Sequence, residues 1–271
     1  MVDYFGKDAS FLQTKKLYLF DMDGTVYLDN DLFEGVYELL QKITNTGANY
    51  VFITNNSSKS VSDYVAKMHR LGLPFVTEEN FFTSAQAAVA LMKEKHEGEL
   101  IYLQGTRSFV EECVKNGLNV TTSYTEQAKV VLVGFDPEFT GEKVYNTCKI
   151  LTKFNVAYYA TNPDWVCPVE FGYIPDCGSM CQSIQRATGK APIFIGKPKP
   201  EMIYAVMKKF GVKKQETVVI GDRLYTDIAS GNNAGVDTVC VLSGEVKLND
   251  IEKASGVEVP TFVFNSVKEL I

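Results

Sequence analysis

Leu17-Tyr-Leu-Phe-Asp-Met-Asp-Gly-Thr25 is the stretch on which the reading of this chain turns. Leu17, Tyr18, Leu19 and Phe20 form a continuous apolar run, the pattern of a parallel-sheet strand covered by helices on both faces. The run stops at Asp21, with Asp23 two positions on. In extended chain, side chains two apart point the same way. Two carboxylates are therefore expected at the carboxyl end of a strand, where open α/β sheets place their ligands. Gly24 gives the tight exit. Acids and glycine after a strand are also ordinary turn chemistry, so the weight falls on whether distant segments bring matching groups.

They do. Val36, Leu39, Leu40 and Ile43 recur at helical spacing up to Gly47, and the apolar run 50–53 breaks off into Thr54, Asn55 and Asn56. A helix follows, opened by the capping-box pattern Ser60-x-x-Asp63, with Val61, Tyr64, Val65 and Met68 on one face. Residues 83–189 repeat the strand–helix grammar on a smaller scale: helices at 84–95, 108–115 and 142–154, strands at 100–103, 130–133 and 156–159. A Pro-, Gly- and Cys-containing loop at 161–178 precedes a last helix there. Strands at 193–195, 217–220, 238–242 and 261–264 then alternate with helices at 201–210 and from 227. The pattern predicts an α/β protein: a doubly wound, Rossmann-like parallel-sheet core built from 1–82 and 190–271, with a smaller α/β domain, 83–189, inserted. Strands 17–20, 50–53, 193–195 and 217–220, read as members of one parallel sheet, would bring Asp21/Asp23, Thr54/Asn55/Asn56, Lys197 and Asp222 with Asp227 to a single edge.

The 271 residues are 45% hydrophobic and 22% charged, which suits a globular chain able to bury a sizeable core. The net charge of −6 and the lack of a dense Lys/Arg block speak against nucleic acid as a partner. Residues 1–16 lack the apolar centre of a secretory signal, and no run approaches the ~20 apolar residues of a membrane span. A cytoplasmic protein with no membrane partner is expected. The scattered cysteines (Cys113, Cys148, Cys167, Cys177, Cys181, Cys240) read as reduced thiols. With only His69 and His96 available, both expected at the surface, a zinc site is not indicated.

Three carboxylates from two strand ends, Asp21, Asp23 and Asp222, would repel one another without a cation among them. Hard oxygen ligands with no His or Cys suit Mg²⁺. Opposite it, the Thr54 hydroxyl, the Lys197 ammonium and the backbone N–H groups of the Asn55-Asn56 turn could hold a phosphoryl group. Uncatalysed phosphate-monoester hydrolysis demands up to ~10²¹-fold acceleration, about 29 kcal/mol. That calls for a covalent step together with charge neutralisation and acid catalysis. Asp21 as nucleophile and Asp23 as general acid/base would supply them. Other chemistries lack their parts: no Cys-x5-Arg, no histidine pair and no Gly-x4-Gly-Lys loop is present.

The segments Asp21-Met-Asp-Gly-Thr25, Phe52-Ile-Thr-Asn-Asn56, Gly196-Lys-Pro198 and Gly221-Asp-Arg-Leu-Tyr-Thr-Asp227 resemble the haloacid-dehalogenase-like superfamily. The Thr-Asn-Asn form, Asn162-Pro-Asp164 and the Gly196-Lys-Pro-Lys-Pro-Glu201 run resemble its NagD-type and p-nitrophenylphosphatase-like subclass. That resemblance implies a phosphatase of small phosphorylated metabolites such as sugar phosphates, with the inserted domain as a substrate-selecting cap. It also implies Mg²⁺ held by Asp21, Asp222 and the carbonyl of Asp23, phosphoryl binding by Thr54, Asn55, Asn56 and Lys197, and Asp227 in support. Asn162, Asp164 and Trp165 become a candidate substrate loop, Trp165 either lining the leaving-group pocket or packing in the cap core. A homodimer through the cap stays open. The alternatives weighed are a phosphomutase of the same superfamily and a receiver-type phospho-Asp switch.

Overall fold

A computed structural model of the chain describes residues 1–169 and 171–271. The chain divides into two compact units, one of Met1–Thr54, Val65–Phe82 and Lys197–Ile271, the other of Asn55–Tyr64 and Thr83–Gly196.

The first unit is built on a six-stranded sheet in the order Phe262–Phe264, Asp237–Val241, Thr217–Gly221, Leu17–Phe20, Asn49–Thr54, Phe81–Thr83. Leu17–Phe20 lies near its centre, parallel to both neighbours, with Phe20 level with Ile220 on one side and Phe52 on the other. All four residues of that strand are buried. Each such side chain removed from water contributes about 1.5–3 kcal/mol, so an unbroken apolar run is what a central strand requires. The helices Val36–Asn45 and Glu201–Phe210 bury Val36, Leu39, Leu40 and Ile43, and Met202, Ile203, Val206 and Met207. Phe81–Thr83 is a sixth strand beyond those expected. It is too short to show a period, and Phe81 packs its ring 5.3 Å from that of Phe52.

The second unit has its own parallel sheet of five strands: Ile193–Phe194, Ala157–Ala160, Val130–Val133, Ile101–Gln104, Val120–Thr121. The two-residue period of its strands serves two cores. Ile101, Leu103, Val130, Leu132 and Tyr159 pack with Ala88, Met92 and Phe109 on one face. Tyr102, Val131, Val133, Tyr158 and Ala160 pack with Ile150, Leu151, Cys181 and Ile184 on the other.

Three expectations are corrected here. The strand ahead of Lys197, Ile193–Phe194, pairs with Tyr159 and Ala160 in the second unit's sheet rather than in the first. Two or three apolar residues carry no mark of which sheet they will join. The loop 161–178 contains an antiparallel hairpin, Val166–Val169 with Gly172–Pro175. Its strands hold Pro168 and Pro175, residues that donate nothing to a ladder and so hide an edge hairpin from pattern reading. His96 is not a surface residue: its ring is half-buried between Glu99 and the Tyr159 hydroxyl, at 2.7 and 3.1 Å. Among the described residues no helix is long and apolar enough to cross a membrane, and all six cysteines are free thiols.

The division between units also differs from 83–189. Asn55–Tyr64 belongs with the inserted segment, which runs on to Gly196. Ser57 explains why: its hydroxyl lies 2.9 Å from that of Thr161 and accepts the Phe135 N–H at 3.0 Å. The Ser60–Asp63 capping box is formed reciprocally, by Ser60 N–H to Asp63 Oδ2 and Asp63 N–H to Ser60 Oγ.

Candidate active site and metal centre

Asp21 and Asp222 each follow the last residue of a central strand of the first unit's sheet, and those strands are direct neighbours in register. The ladder continues one step past the strand, with Asp21 N–H donating to Ile220 O at 2.8 Å. Neighbouring strands lie ~4.8 Å apart, so these two acids, one residue out of step in the register, come off the sheet side by side at the same edge. Asp227 joins them. It sits in a π-helical turn, Leu224–Ile228, that leads into the helix Ala229–Ala234. One carboxylate oxygen from each of Asp21, Asp222 and Asp227 lies within 4.8 Å of the others, all three residues buried.

Lys197, the first residue of the resumed chain of this unit, reaches into the cluster. Its Nζ lies 2.5 Å from Asp21 Oδ1 and 2.5 Å from Asp227 Oδ1, and donates to Ile53 O at 3.2 Å. Ile53 and Thr54 end the strand on the other side of Leu17–Phe20, and Thr54 is buried there. Asp21, Thr54, Lys197, Asp222 and Asp227 thus belong to one unit, and four of them meet through charged groups.

Asp23 stands apart. The three converging carboxylates are Asp21, Asp222 and Asp227, so Asp227 takes the place expected for the Asp23 side chain. Asp23 forms a β-bridge with Tyr27, and the chain turns directly after it. Met22 O accepts N–H groups from Thr25 and Val26, and the chain curls into a turn through Gly24 at φ +87°. Gly24 is required twice, because a Cβ there would also collide with the Asp222 carboxylate.

Three carboxylates against one ammonium leave a formal charge of −2, and the titration of the cluster reflects it. Burial, then the charges of Asp21 and Asp227, push Asp222 up to about 8. Burial and Asp21 push Asp227 up to about 6 against the pull of Lys197. Asp21 is raised by burial, with Lys197 opposing. Burial alone would lower Lys197, but Asp21 and Asp227 more than offset it and hold the ammonium charged. Acids this reluctant to ionise together are matched to a divalent cation, and an all-oxygen donor set suits Mg²⁺.

Sequence reasoning missed the loop after Asp237–Val241. Glu245 N–H donates to Asp222 Oδ2 at 2.7 Å, and a Cβ on Gly244 would strike that same oxygen. Ser243 Oγ donates to Gly24 O at 2.8 Å. The signal was present: this apolar strand also stops short at Ser243-Gly244, as the others stop at their polar ends.

In the second unit Asn55, Asn162 and Asp164 form one buried network. Asn55 Nδ2 donates to Asp164 Oδ1 and Oδ2 at 3.0 and 3.2 Å, and Asn162 Nδ2 donates to Asn55 O at 2.8 Å. A Cβ on Gly196 would overlap Asn55 Oδ1. Asn162 and Asp164 therefore hold the Asn55 turn rather than present an open surface. Asn56 closes an Asx turn, accepting from Ser58 N–H and Oγ at 2.9 and 2.7 Å. Trp165 is 54% exposed, which removes the cap-core alternative.

Two family models match the chain, a haloacid dehalogenase-like hydrolase model over residues 18–119 and a HAD-hydrolase-like model over 194–270. The 5'-nucleotidase YutF of Bacillus subtilis is 32% identical over 260 residues, 96% of this chain and 99% of that protein. The solved 4-nitrophenylphosphatase of Thermotoga maritima superposes with a TM-score of 0.88 at 36% identity, covering 96% and 97% of the two chains. A glycerol phosphate phosphatase of Mycobacterium tuberculosis, solved in complex with magnesium, gives 0.89 at 28% identity, covering 96% of this chain and 77% of that one. With its acids at the carboxyl edge of a parallel sheet and likeness along nearly its whole length, the chain belongs to the haloacid-dehalogenase-like hydrolases, among their NagD-type phosphatases.

Proposed function

We propose that this phosphatase hydrolyses phosphate monoesters of small metabolites, sugar phosphates among them, with Mg²⁺ and through a phosphoryl group carried on Asp21. The observation that carries the reading is the buried convergence of Asp21, Asp222 and Asp227, with one ammonium on Asp21 and Asp227, which leaves room in charge for a divalent cation. Asp21 attacks phosphorus, the ester P–O bond breaks, and Asp23 gives the leaving oxygen its proton. A water then attacks the phosphorus, Asp23 takes up its proton, and the bond to Asp21 breaks, freeing inorganic phosphate and the carboxylate. Lys197 fixes the reacting carboxylate and, with Thr54 and the Asn55-Asn56 turn, offsets charge on the transferring oxygens. Asp21, Asp222 and the Asp23 carbonyl would hold the cation, Asp227 supporting; when bound it neutralises charge on the phosphoryl oxygens.

Substrate choice is assigned to the inserted unit, whose Trp165 is exposed next to the hairpin. The magnesium-bound relative and the phosphatase and nucleotidase names of the others support a turnover enzyme over a switch. The test is a panel of metabolite phosphates assayed for phosphate release with Mg²⁺ or chelator, with acid quench of ³²P-labelled enzyme. Label on the Asp21 peptide with turnover is expected; label elsewhere, or turnover unaffected by chelator, overturns the reading.

A further inference from the structure

The acids of the first unit are held by more than the strands that carry them. Arg223 donates its backbone N–H to Asp227 Oδ2 at 3.1 Å, and Glu245 donates its own to Asp222 Oδ2 at 2.7 Å. The side chains of these two donors meet, Arg223 Nε lying 2.9 Å from Glu245 Oε2, both atoms sealed from solvent. Val246 N–H donates to the main-chain oxygen of Asp222 at 3.2 Å. One ion pair therefore ties the loop after Thr217–Gly221 to the loop after Asp237–Val241. Each partner's main chain grips a different member of the acid cluster.

We propose that the Arg223–Glu245 ion pair is a positioning clamp for the cation site, fixing the two backbone donors that orient Asp222 and Asp227. The proposal rests on the cation reading above. A carboxylate can turn either oxygen to a metal, and an N–H on Oδ2 decides which is offered. Mg²⁺ demands near-ideal octahedral geometry, so letting the Gly244–Glu245 loop drift weakens binding without touching a ligand. Both residues are positioning residues. The pair also lines a groove of 280 Å³ shared with Leu224, Tyr225, Val246 and Asp250. A shortened side chain there opens onto existing space rather than leaving a closed void, so variants should fold.

The test is calorimetric titration of the full chain with Mg²⁺ for Arg223→Lys, Glu245→Gln and the double variant, alongside metal-free melting temperatures. Each single change is expected to raise the Mg²⁺ Kd about tenfold, the usual cost of losing an outer-sphere partner. The double should lose about the same, because either change already breaks the pair. kcat should recover as Mg²⁺ is raised. Arg223→Lys keeps the positive charge beside the acids, so a purely coulombic influence predicts the wild-type Kd. An unchanged Kd in Arg223→Lys, losses that add in the double, or a lowered metal-free melting temperature with Kd intact would each overturn the clamp. Wild-type protein that takes up no Mg²⁺ would sink the cation reading itself; wild-type uptake with unaltered variants removes the clamp alone.

Discussion

The two units are variations on one scaffold, each a parallel sheet with helices on both faces, yet their carboxyl edges are put to different use. In the first unit the edge gathers Asp21, Asp222 and Asp227, pairs Lys197 with the first and last of them, and leaves negative charge uncompensated. In the second unit the buried acids at the edge are matched. Asp136 has both oxygens on Lys143, at 3.1 and 2.9 Å, which balances its charge, and Asp164 has both on the Asn55 amide, which satisfies its oxygens by hydrogen bonds. Lys143 also donates to Gly105 O and Glu138 O. A strand end with balanced charge is structural; one with surplus charge is poised for a ligand. Fold alone does not separate the two, but this charge balance does.

The strongest way to break the contrast is Asp21→Asn, nearly isosteric and able to keep the fold. Turnover should fall by about four or more orders of magnitude, as when a covalent nucleophile is lost, with the circular-dichroism spectrum unchanged. Substantial Mg²⁺-dependent phosphate release by this variant would place the nucleophile elsewhere.

Next in size is a matched pair of lysine changes. Lys197→Met strands Asp21 and Asp227 in the interior and should cost about 3–5 kcal/mol, with turnover down about 10²–10³-fold. Lys143→Met leaves Asp136 short of its donor and should cost about 1–3 kcal/mol while room-temperature turnover stays near wild type. Denaturant melts and phosphate release on both variants check this. Equal loss of activity from a still-folded Lys143→Met would erase the distinction between the edges.

Much of this was legible from residue pattern, and the exceptions have physical causes. Glu201–Phe210 read directly because a buried stripe repeats along it, and Ser84–Lys95 because it is rich in alanine, the best helix former. Asp21 and Asp222 were legible because each ends an unbroken apolar run. Ile193–Phe194 was placed in the wrong sheet because a pair of apolar residues carries no partner information. The closeness of Asp227 to Asp21 and Asp222 was not legible from spacing. Its approach depends on a π turn, which no periodicity signals. The grip of Glu245 on Asp222 runs through a backbone N–H, which any residue type supplies.

The acid cluster should also show in the pH dependence of stability without metal. Asp222 and Asp227 are raised from 3.8 to about 8 and about 6, so the folded state favours their protonated forms. Stability from them is full below the ordinary carboxylate range and is lost as pH climbs through about 6 and then about 8. Carboxylates lowered by hydrogen bonds, such as Asp63, with Ser60 and Ser108 on it, lose their contribution only in acid. Above about pH 5 the metal-free melting temperature should therefore decline. Mg²⁺ at a hundred times its Kd adds about 2.7 kcal/mol, with a greater rise at alkaline than at mildly acidic pH, since protons compete for the same oxygens. A metal-free melting temperature that rises across this range would contradict the surplus charge.

The finest probe uses two glycines, one at each edge, where there is no space for a methyl group. A Cβ on Gly244 would collide with the Asp222 carboxylate, and one on Gly178 with the Pro163 carbonyl oxygen. Gly244→Ala must push aside a side chain whose position matters to a cation, so Mg²⁺ affinity should drop roughly tenfold with little change in metal-free stability. Gly178→Ala presses on backbone at the start of the helix Cys177–Thr188, where Gly178 N–H donates to Asp164 O at 2.8 Å. It should cost about 1–3 kcal/mol and leave Mg²⁺ affinity alone. Calorimetry and thermal melts on the two variants should thus move in opposite columns: the same crowding registers as ligand affinity at the acid cluster, and as stability where the neighbouring acid is already satisfied by hydrogen bonds.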